Sequence, residues 1–537
     1  MRCVCAAIFL ASVVGCGGST PPADPDAPVV PDAAPVAVCT QLGLPAAPWL
    51  EGETGPRRGD LAGDFTAPLV GGGSLGLKAA WSGCEVWVFA PDAIPISGAD
   101  ATSTWTQDLP ALLAASPKNA HYVFVPVGND DAAAHTSAAA MQTRVDAALA
   151  ALPAADADHW RTRVHVVDAR AGALVNWVTL TLSAGGRTGF VIDRDQRIRG
   201  VGSLADVARF DQALNDAGQW PFKNNLAYLA NEVRYANARA LDEAALAAEG
   251  GTVVTLWDHE LVSGFADKAI TLPALDGFDA MTVEVTLECP SPTAIEQGNC
   301  GAWDYIANLF VVNGTATTEL ARFITPYHRE ARWIVDASPM LPLLTEGTQM
   351  LRWSDAPSWN LQPTYVTVKL HLAHRGGARP TAAIPLWTGG NFDATYAAGH
   401  PAMDVAIPAD ATKVELVAIV TGHGSASDAQ CAEFCDHHHA FTVGGATHTI
   451  AFPDAGTEAG CMANVDHGMT PNQSGTWWYG RGGWCPGQQV APVVFDITSE
   501  VTKGGTATIG YDATFGGAAP ATDHGVIQLS SWLVISK

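Results

Sequence analysis

The sequence predicts a multidomain protein: an α/β domain followed by two β-rich domains of sandwich or jelly-roll type. Three observations carry this expectation. Strand-like and helix-like hydrophobic patterns alternate from residue 40 to about 248, which implies a sheet covered on both faces. After Gly251 the period changes to two, in short β-branched runs punctuated by Gly, Asp, Asn and Pro. The length of 537 residues, at about 150 per domain, allows three to four domains. A hydrophobic content of 48% with 15% charged residues excludes a disordered chain. The excess of 54 acidic over 29 basic residues argues against nucleic acid as a partner.

The N-terminus reads as a targeting segment. Residues 1–15 place Arg2 before an apolar run too short to span a bilayer, the form of a signal peptide. Val13-Val14-Gly15-Cys16 resembles the bacterial lipoprotein box, in which the cysteine is acylated. Gly17 after it, rather than Asp, implies the outer membrane, and multiple acyl chains make such an anchor stable. Residues 16–38 continue as a Pro/Ala/Asp tether without periodicity. The expectation is an exported monomeric lipoprotein on the periplasmic or cell-surface face. Of the 11 cysteines, Cys3, Cys5 and Cys16 belong to this segment. The remaining eight argue for four disulfides in an oxidising compartment.

Residues 39–249 form the α/β domain. Short apolar runs at 85–90, 121–127, 163–167 and 189–193 predict strands, and 133–152 and 204–217 predict helices. A further helix is expected from 224 to about 248. The segments GDLAGDFTAPLVGG (59–72) and GFVIDRDQRIRGVG (189–202) resemble parts of a thioredoxin-like domain. A dithiol mechanism needs a low-pKa thiolate at a helix start and a resolving partner. The sequence after the strand at 85–90 is PDAIPIS, without cysteine. The domain is therefore expected to be a redox-inactive scaffold, with Cys39 and Cys84 paired as a structural staple.

The β-rich half divides at 375–383 into domains 250–378 and 379–537, with strands at 280–287, 364–372, 414–420 and 526–535. Three cysteine-marked stretches carry its chemistry. In the first, Cys289 and Cys300 precede a strand-like run whose alternation puts Trp303, Tyr305, Ala307 and Leu309 on one face and Asp304 on the other. In the second, CAEFCDHHHAFTV (431–443), a tight loop between Cys431 and Cys435 would hold Glu433 at its apex. The rival there is metal binding by Cys431, Cys435 and His437, His438 and His439. Export favours the disulfide over that reading. The histidines otherwise read as a turn into a hairpin strand at 440–443. In the third, Cys461 and Cys485 bracket a loop rich in Gly and Trp, with Arg481, Trp477, Trp478 and Trp484. Such loops suit sugars, although one or two of these tryptophans are expected in the core.

WDYIAN (303–308), RFITPY (322–327), CAEFC (431–435), PNQSG (471–475) and GWCPG (483–487) together resemble the peptide-N-glycosidase F family over roughly 270–535. The resemblance implies two jelly-roll domains and disulfides Cys289–Cys300, Cys431–Cys435 and Cys461–Cys485. It implies hydrolysis of the amide joining an N-linked glycan to asparagine in a glycoprotein or glycopeptide, without cofactor or metal. The motifs map catalytic acids to Asp304, Glu433 and Asp355, and the substrate-binding surface to Arg481, Trp484, Trp303, Trp359 and His423. The chain departs from the family at Tyr305, Phe434, His423, Ser425 and Asp355. Two other readings are a non-catalytic glycan- or peptide-binding lipoprotein on the same scaffold, and a copper monooxygenase-like protein.

Overall fold

The computed structural model describes residues 38–92, 104–106, 108–184, 189–202, 204, 226–424, 432–520 and 525–537. Cys3, Cys5, Cys16, the tether, Cys431, Ser425 and nearly all of the helix expected at 204–217 lie outside the described residues.

The N-terminal half holds a five-stranded mixed sheet in the order Val164–Val166, Ala120–Val125, Val86–Pro91, Phe190–Ile192, Ile198–Arg199. Its first three strands are parallel and the last two antiparallel to their neighbours. The strands Val86–Pro91 and Ala120–Val125 are buried at every residue, which is why they read as continuous apolar runs. The helix Asp131–Ala150 starts earlier than its apolar pattern because the Asp130 carboxylate accepts from the Ala133 N–H. Cys39 and Cys84 are disulfide-bonded, with Cα atoms 5.7 Å apart.

The helix Leu229–Glu249 buries Leu229, Val233, Tyr235, Ala236 and Ala240 along one stripe. It ends at Gly250, whose φ of +69° favours glycine and turns the chain into the first β-sandwich. That sandwich packs Ala331–Asp336, Ala280–Glu288, Thr364–Ala373 and Thr252–Val262 against Gln489–Val490, Ala316–Ile324, Ile306–Asn313, Gly347–Ser354 and Phe265–Leu272. Alternation of buried and half-buried residues from Thr364 to Leu372 shows the period-two rule at work. The second sandwich pairs the sheet Pro380–Asn391, Val526–Ser536, Lys413–His423, Val493–Asp496 with the sheet Met403–Ala406, Thr506–Phe515, His437–Val443, Ala446–Ile450.

The two sandwiches share a core. Val417, Ile419, Trp532 and Val534 of the second join the tryptophans Trp333 and Trp353 of the first in one buried cluster. Arg322 crosses between them, paired with buried Glu319 and donating to Thr421 Oγ1 at 2.8 Å and the Gln528 carbonyl at 2.7 Å. Residues 38–537 thus form one compact unit.

Candidate active site

Asp304 sits just before the strand Ile306–Asn313, on a short segment tied down by side chains and by one backbone bond, from the Thr325 N–H to the Tyr305 carbonyl at 2.9 Å. Thr325 Oγ1 donates to the Trp303 carbonyl at 2.7 Å and accepts from the Tyr305 N–H at 2.8 Å. Gln362 Oε1 accepts from the Trp303 N–H at 3.0 Å. The alternation expected from residue 303 begins only at Ile306, and Trp303 is half open to solvent.

Glu433 and Arg481 come from the second sandwich. The loop holding Glu433 is clamped by backbone contacts: Gly482 N–H donates to the Glu433 carbonyl at 2.6 Å, and Gly422 N–H to the Gly482 carbonyl at 2.8 Å. A Cβ on Gly422 or Gly482 would meet the Ala432 carbonyl at 1.9 or 2.6 Å, so only glycine permits this approach. Gly424 N–H donates to Glu433 Oε2 at 3.2 Å.

The Arg481 side chain is wholly buried and lies between the two acids. Its Nη1 donates to the Thr476 and Tyr479 carbonyls, at 3.0 and 2.8 Å, and its Nη2 to Thr476 Oγ1 at 2.9 Å. That leaves Nε 3.4 Å from Glu433 Oε1 and Nη2 3.6 Å from Asp304 Oδ2. Tyr327 Oη donates to Asp304 Oδ2 and accepts from Arg481 Nη2 at 3.3 Å. The guanidinium carbon stands 4.8 Å from the Trp484 ring and 5.1 Å from the Phe434 ring.

Burial pushes the Asp304 carboxyl above its ordinary range, opposed by Arg481 and by the Tyr327 hydroxyl. Burial also raises Glu433, helped by the charge on Asp304 and opposed by Arg481. The arrangement is two half-buried acids with raised pKa values sharing one fixed cation. Carboxyls that hold their protons more tightly than usual beside a fixed cation are groups of the kind general acid–base chemistry employs.

Beside Asp304, Trp303 is 53% and Trp359 78% exposed. Trp359 meets Tyr305 edge-on at 5.8 Å, and Asn360 Nδ2 donates to Tyr305 Oη at 2.6 Å. These are solvent-facing rings able to stack on an apolar ligand face.

The other expected residues lie differently. Trp484 is buried under Arg481, stacked on His423 at 4.9 Å, with its Nε1 donating to the Gly422 carbonyl at 2.6 Å. It holds Arg481 rather than offering a face to a ligand. Trp477 and Trp478 are both fully buried, packed with Tyr235 of the helix Leu229–Glu249 and the Cys461–Cys485 bridge. His423 Nε2 is 2.7 Å from Thr421 Oγ1, and burial with Arg322 and Arg481 nearby pushes its imidazole down to about 3.

Asp355 is a correction. It is 1% exposed and accepts from Thr364 Oγ1 at 2.6 Å and Trp353 Nε1 at 3.4 Å. Among the described residues no hydrogen bond or ion pair joins it to Asp304, Glu433 or Arg481. Burial raises its carboxyl to about 6. The family resemblance mapped a third catalytic acid to it as the nearest match, but the strand Gly347–Ser354 carries it into the interior.

The three histidines lie on the strand His437–Val443 itself rather than in a turn before it. His437 Nε2 contacts the Ala432 carbonyl at 2.9 Å, His437 Nδ1 contacts His439 Nε2 at 2.6 Å, and His439 Nδ1 contacts Tyr511 Oη at 2.7 Å. Among the described residues no group of three His, Cys, Asp or Glu side chains is placed to hold a metal. Cys289 is bonded to Cys300, and Cys435 is disulfide-bonded.

Tyr327 is the site residue that sequence reasoning did not assign. Its signal was the last position of RFITPY, a motif otherwise read only as a landmark.

Residues 391–536 match a protein-family model described as Peptide-N-glycosidase F, C terminal. Peptide-N(4)-(N-acetyl-β-D-glucosaminyl)asparagine amidase F of Elizabethkingia miricola is 26% identical over 282 residues, 47% of this chain and 72% of its own length. A solved peptide-N(4)-(N-acetyl-β-D-glucosaminyl)asparagine amidase structure aligns with a TM-score of 0.42 at 21% identity, over 53% of this chain and 96% of its own. A glycosylasparaginase structure from Flavobacterium meningosepticum aligns at 0.42 and 20%, over the same shares.

Proposed function

We infer that the second half of this chain is a peptide-N-glycosidase F amidase, hydrolysing the bond between an N-linked glycan and the asparagine of a glycoprotein or glycopeptide. One observation carries the chemistry: Arg481 is fixed between Asp304 and Glu433, acids supplied by two different sandwiches. The five ordered motifs and the matched family support the same reading.

In the reaction a water oxygen bonds to the side-chain carbonyl carbon, the carbon–nitrogen bond breaks, and the nitrogen leaves protonated as a glycosylamine. Asparagine becomes aspartate. Asp304, held by Tyr327, contacts the scissile linkage, takes the proton of the attacking water and passes it to the leaving nitrogen. Glu433 serves the same site through a water. Arg481 keeps both carboxylates apart and oriented, and offers positive charge to the developing oxyanion. Trp303 and Trp359 give the glycan rings on which pyranose faces stack. The test is release of glycans, with Asn-to-Asp mass shifts, from a denatured N-glycoprotein. Asp304→Asn is expected to abolish release while the folded chain persists, and equal release from that variant would remove Asp304 from its role.

The rest of the reading is architectural. Two jelly rolls form the amidase half. The N-terminal domain is thioredoxin-like and redox-inactive, a reading supported by its mixed sheet and by the missing cysteines after Val86–Pro91. Cys16 is acylated, and the tether holds the folded unit from the outer membrane. The mass of the N-terminal peptide checks this, because an unmodified Cys16 in the exported protein would sink it.

A further inference from the structure

We propose that the helix Leu229–Glu249, outside the segment that resembles the amidase family, is a positioning element of the active site, with Glu232 as its joining residue. The proposal rests on the amidase reading for its catalytic consequence, but not for its structural one.

Glu232 lies in the first turn of that helix and is buried. One of its oxygens, Oε1, accepts from Arg329 Nη1 at 2.8 Å and from Asn472 Nδ2 at 3.0 Å. These two partners belong to the two segments that build the site. Arg329 is two residues past Tyr327, whose hydroxyl holds Asp304. Asn472 opens the stretch that leads through Thr476 to Arg481.

The junction is closed by further bonds. Arg329 Nη1 also donates to the Pro471 carbonyl at 2.6 Å, binding the two segments directly. Asn472 holds a left-handed backbone, φ +52°, which a non-glycine residue keeps only when its surroundings fix it. The start of the helix supplies that fixation. Asn472 Nδ2 donates to the Tyr228 carbonyl at 3.0 Å, and its Oδ1 accepts from Asn231 Nδ2 at 3.5 Å. On the site side, the Tyr327 N–H donates to Gln473 Oε1 at 2.8 Å. The helix therefore grips both strips of chain from behind, and the strips meet in front at Tyr327 and Arg481.

Glu232 is separable from the fold because Arg329 has a second carboxylate. Its Nε lies 2.7 Å from Glu296 Oε2, so neutralising Glu232 does not leave the buried cation alone. Glu243, on the same helix, supplies the control. It pairs with Arg332 at 3.0 Å, on a strand remote in sequence from the Arg481 loop.

The experiment uses the full chain with Glu232→Gln, Glu232→Ala and Glu243→Gln. Kinetics on an N-glycopeptide are read beside hydrogen–deuterium exchange at residues 325–329 and 471–481. The Glu232 variants are expected to lose roughly ten- to a hundredfold in kcat, with KM within about twofold, because substrate contacts remain while reacting groups drift. Exchange at both segments is expected to quicken, and Glu243→Gln to change neither readout. If the chain releases no glycan, exchange alone decides, which keeps failure here distinct from failure of the amidase reading. If Glu232→Ala does not fold, Glu232→Gln carries the test, since it keeps the side-chain volume. Unchanged exchange in the Glu232 variants, or an equal effect of Glu243→Gln, overturns the proposal.

Discussion

Tyr327 joins the acid and the cation of the site through one atom, since its hydroxyl bridges Asp304 and Arg481. That hydrogen bond lowers the Asp304 pKa against the upward push of burial. Tyr327→Phe removes it, so Asp304 should protonate at higher pH. The acid limb of kcat/KM is expected to move upward, with kcat down about tenfold, as for one lost hydrogen bond to a charged group. A pH–rate profile checks both. Asp355 gives a test of the opposite kind. Its folded pKa of about 6 lies above the unfolded value near 3.9, so the native state binds a proton more tightly. The ionised carboxylate therefore costs stability above pH 6, and the cost fades as pH falls through 6 toward 4. Asp355→Asn should remove that cost, gaining up to about 3 kcal/mol at pH 8 and little at pH 4 in urea unfolding. It should leave glycan release intact. Asp304 and Glu433 were legible in sequence because each stands inside a motif to which the resemblance gives a role, and Arg481 because it stands two residues before GWCPG. Tyr327 closes RFITPY but was not assigned, because its partners are distant along the chain. Asp355 misled because a position matched by resemblance does not report whether its carboxylate faces solvent or Thr364.

At the scale of elements, the Glu433 loop rests on the strand His437–Val443 through a proton-ordered chain. The Ala432 carbonyl can only accept, so His437 Nε2 carries the proton and His437 Nδ1 accepts from His439 Nε2. His439 Nδ1 then accepts from Tyr511. Both imidazoles are neutral in the fold: burial pushes His437 down to about 4 and His439 well below its ordinary range. The unfolded histidines titrate near 6.5, so this contribution is complete above that pH and is lost as pH falls toward 4. The melting temperature is expected to drop between pH 7 and 5, and His439→Gln, which does not titrate, should flatten the drop. A variant with an undiminished slope would remove the chain from this role. The strands Ala280–Glu288, Thr364–Ala373, Lys413–His423 and Val526–Ser536 were legible from alternating or continuous β-branched runs and the helix Asp131–Ala150 from its 3.6 period, whereas the shorter helices Leu109–Ala115, Ala154–Arg161 and Asn176–Ala184 were not read. The histidine strand was hidden because three polar residues in a row carry no hydrophobic alternation, although two of them face the core.

For the whole molecule, the decisive contacts cross boundaries that sequence patterns draw as divisions. The helix Leu229–Glu249 was expected at the end of the α/β domain, yet Tyr235 packs among Trp477, Trp478 and the Cys461–Cys485 bridge of the β-rich half. Composition announced those tryptophans but gave no partner for them, since the partner lies more than two hundred residues away. A chain starting at residue 250 should therefore expose that apolar face and be recovered in inclusion bodies or as aggregates. Soluble, fully active protein from such a truncation would show that the N-terminal half is dispensable.

The two-residue strand Gln489–Val490 adds a practical consequence. It leaves the second sandwich to extend the sheet of the first, pairing with Arg322 and Phe323. Recombination between relatives at the obvious crossover, between Ala373 and Pro380, would separate that strand from its native neighbours. Chimeras would do better to inherit residues 250–537 as an undivided block and, under the proposed function, to vary the exposed rim around Trp303 and Trp359 instead.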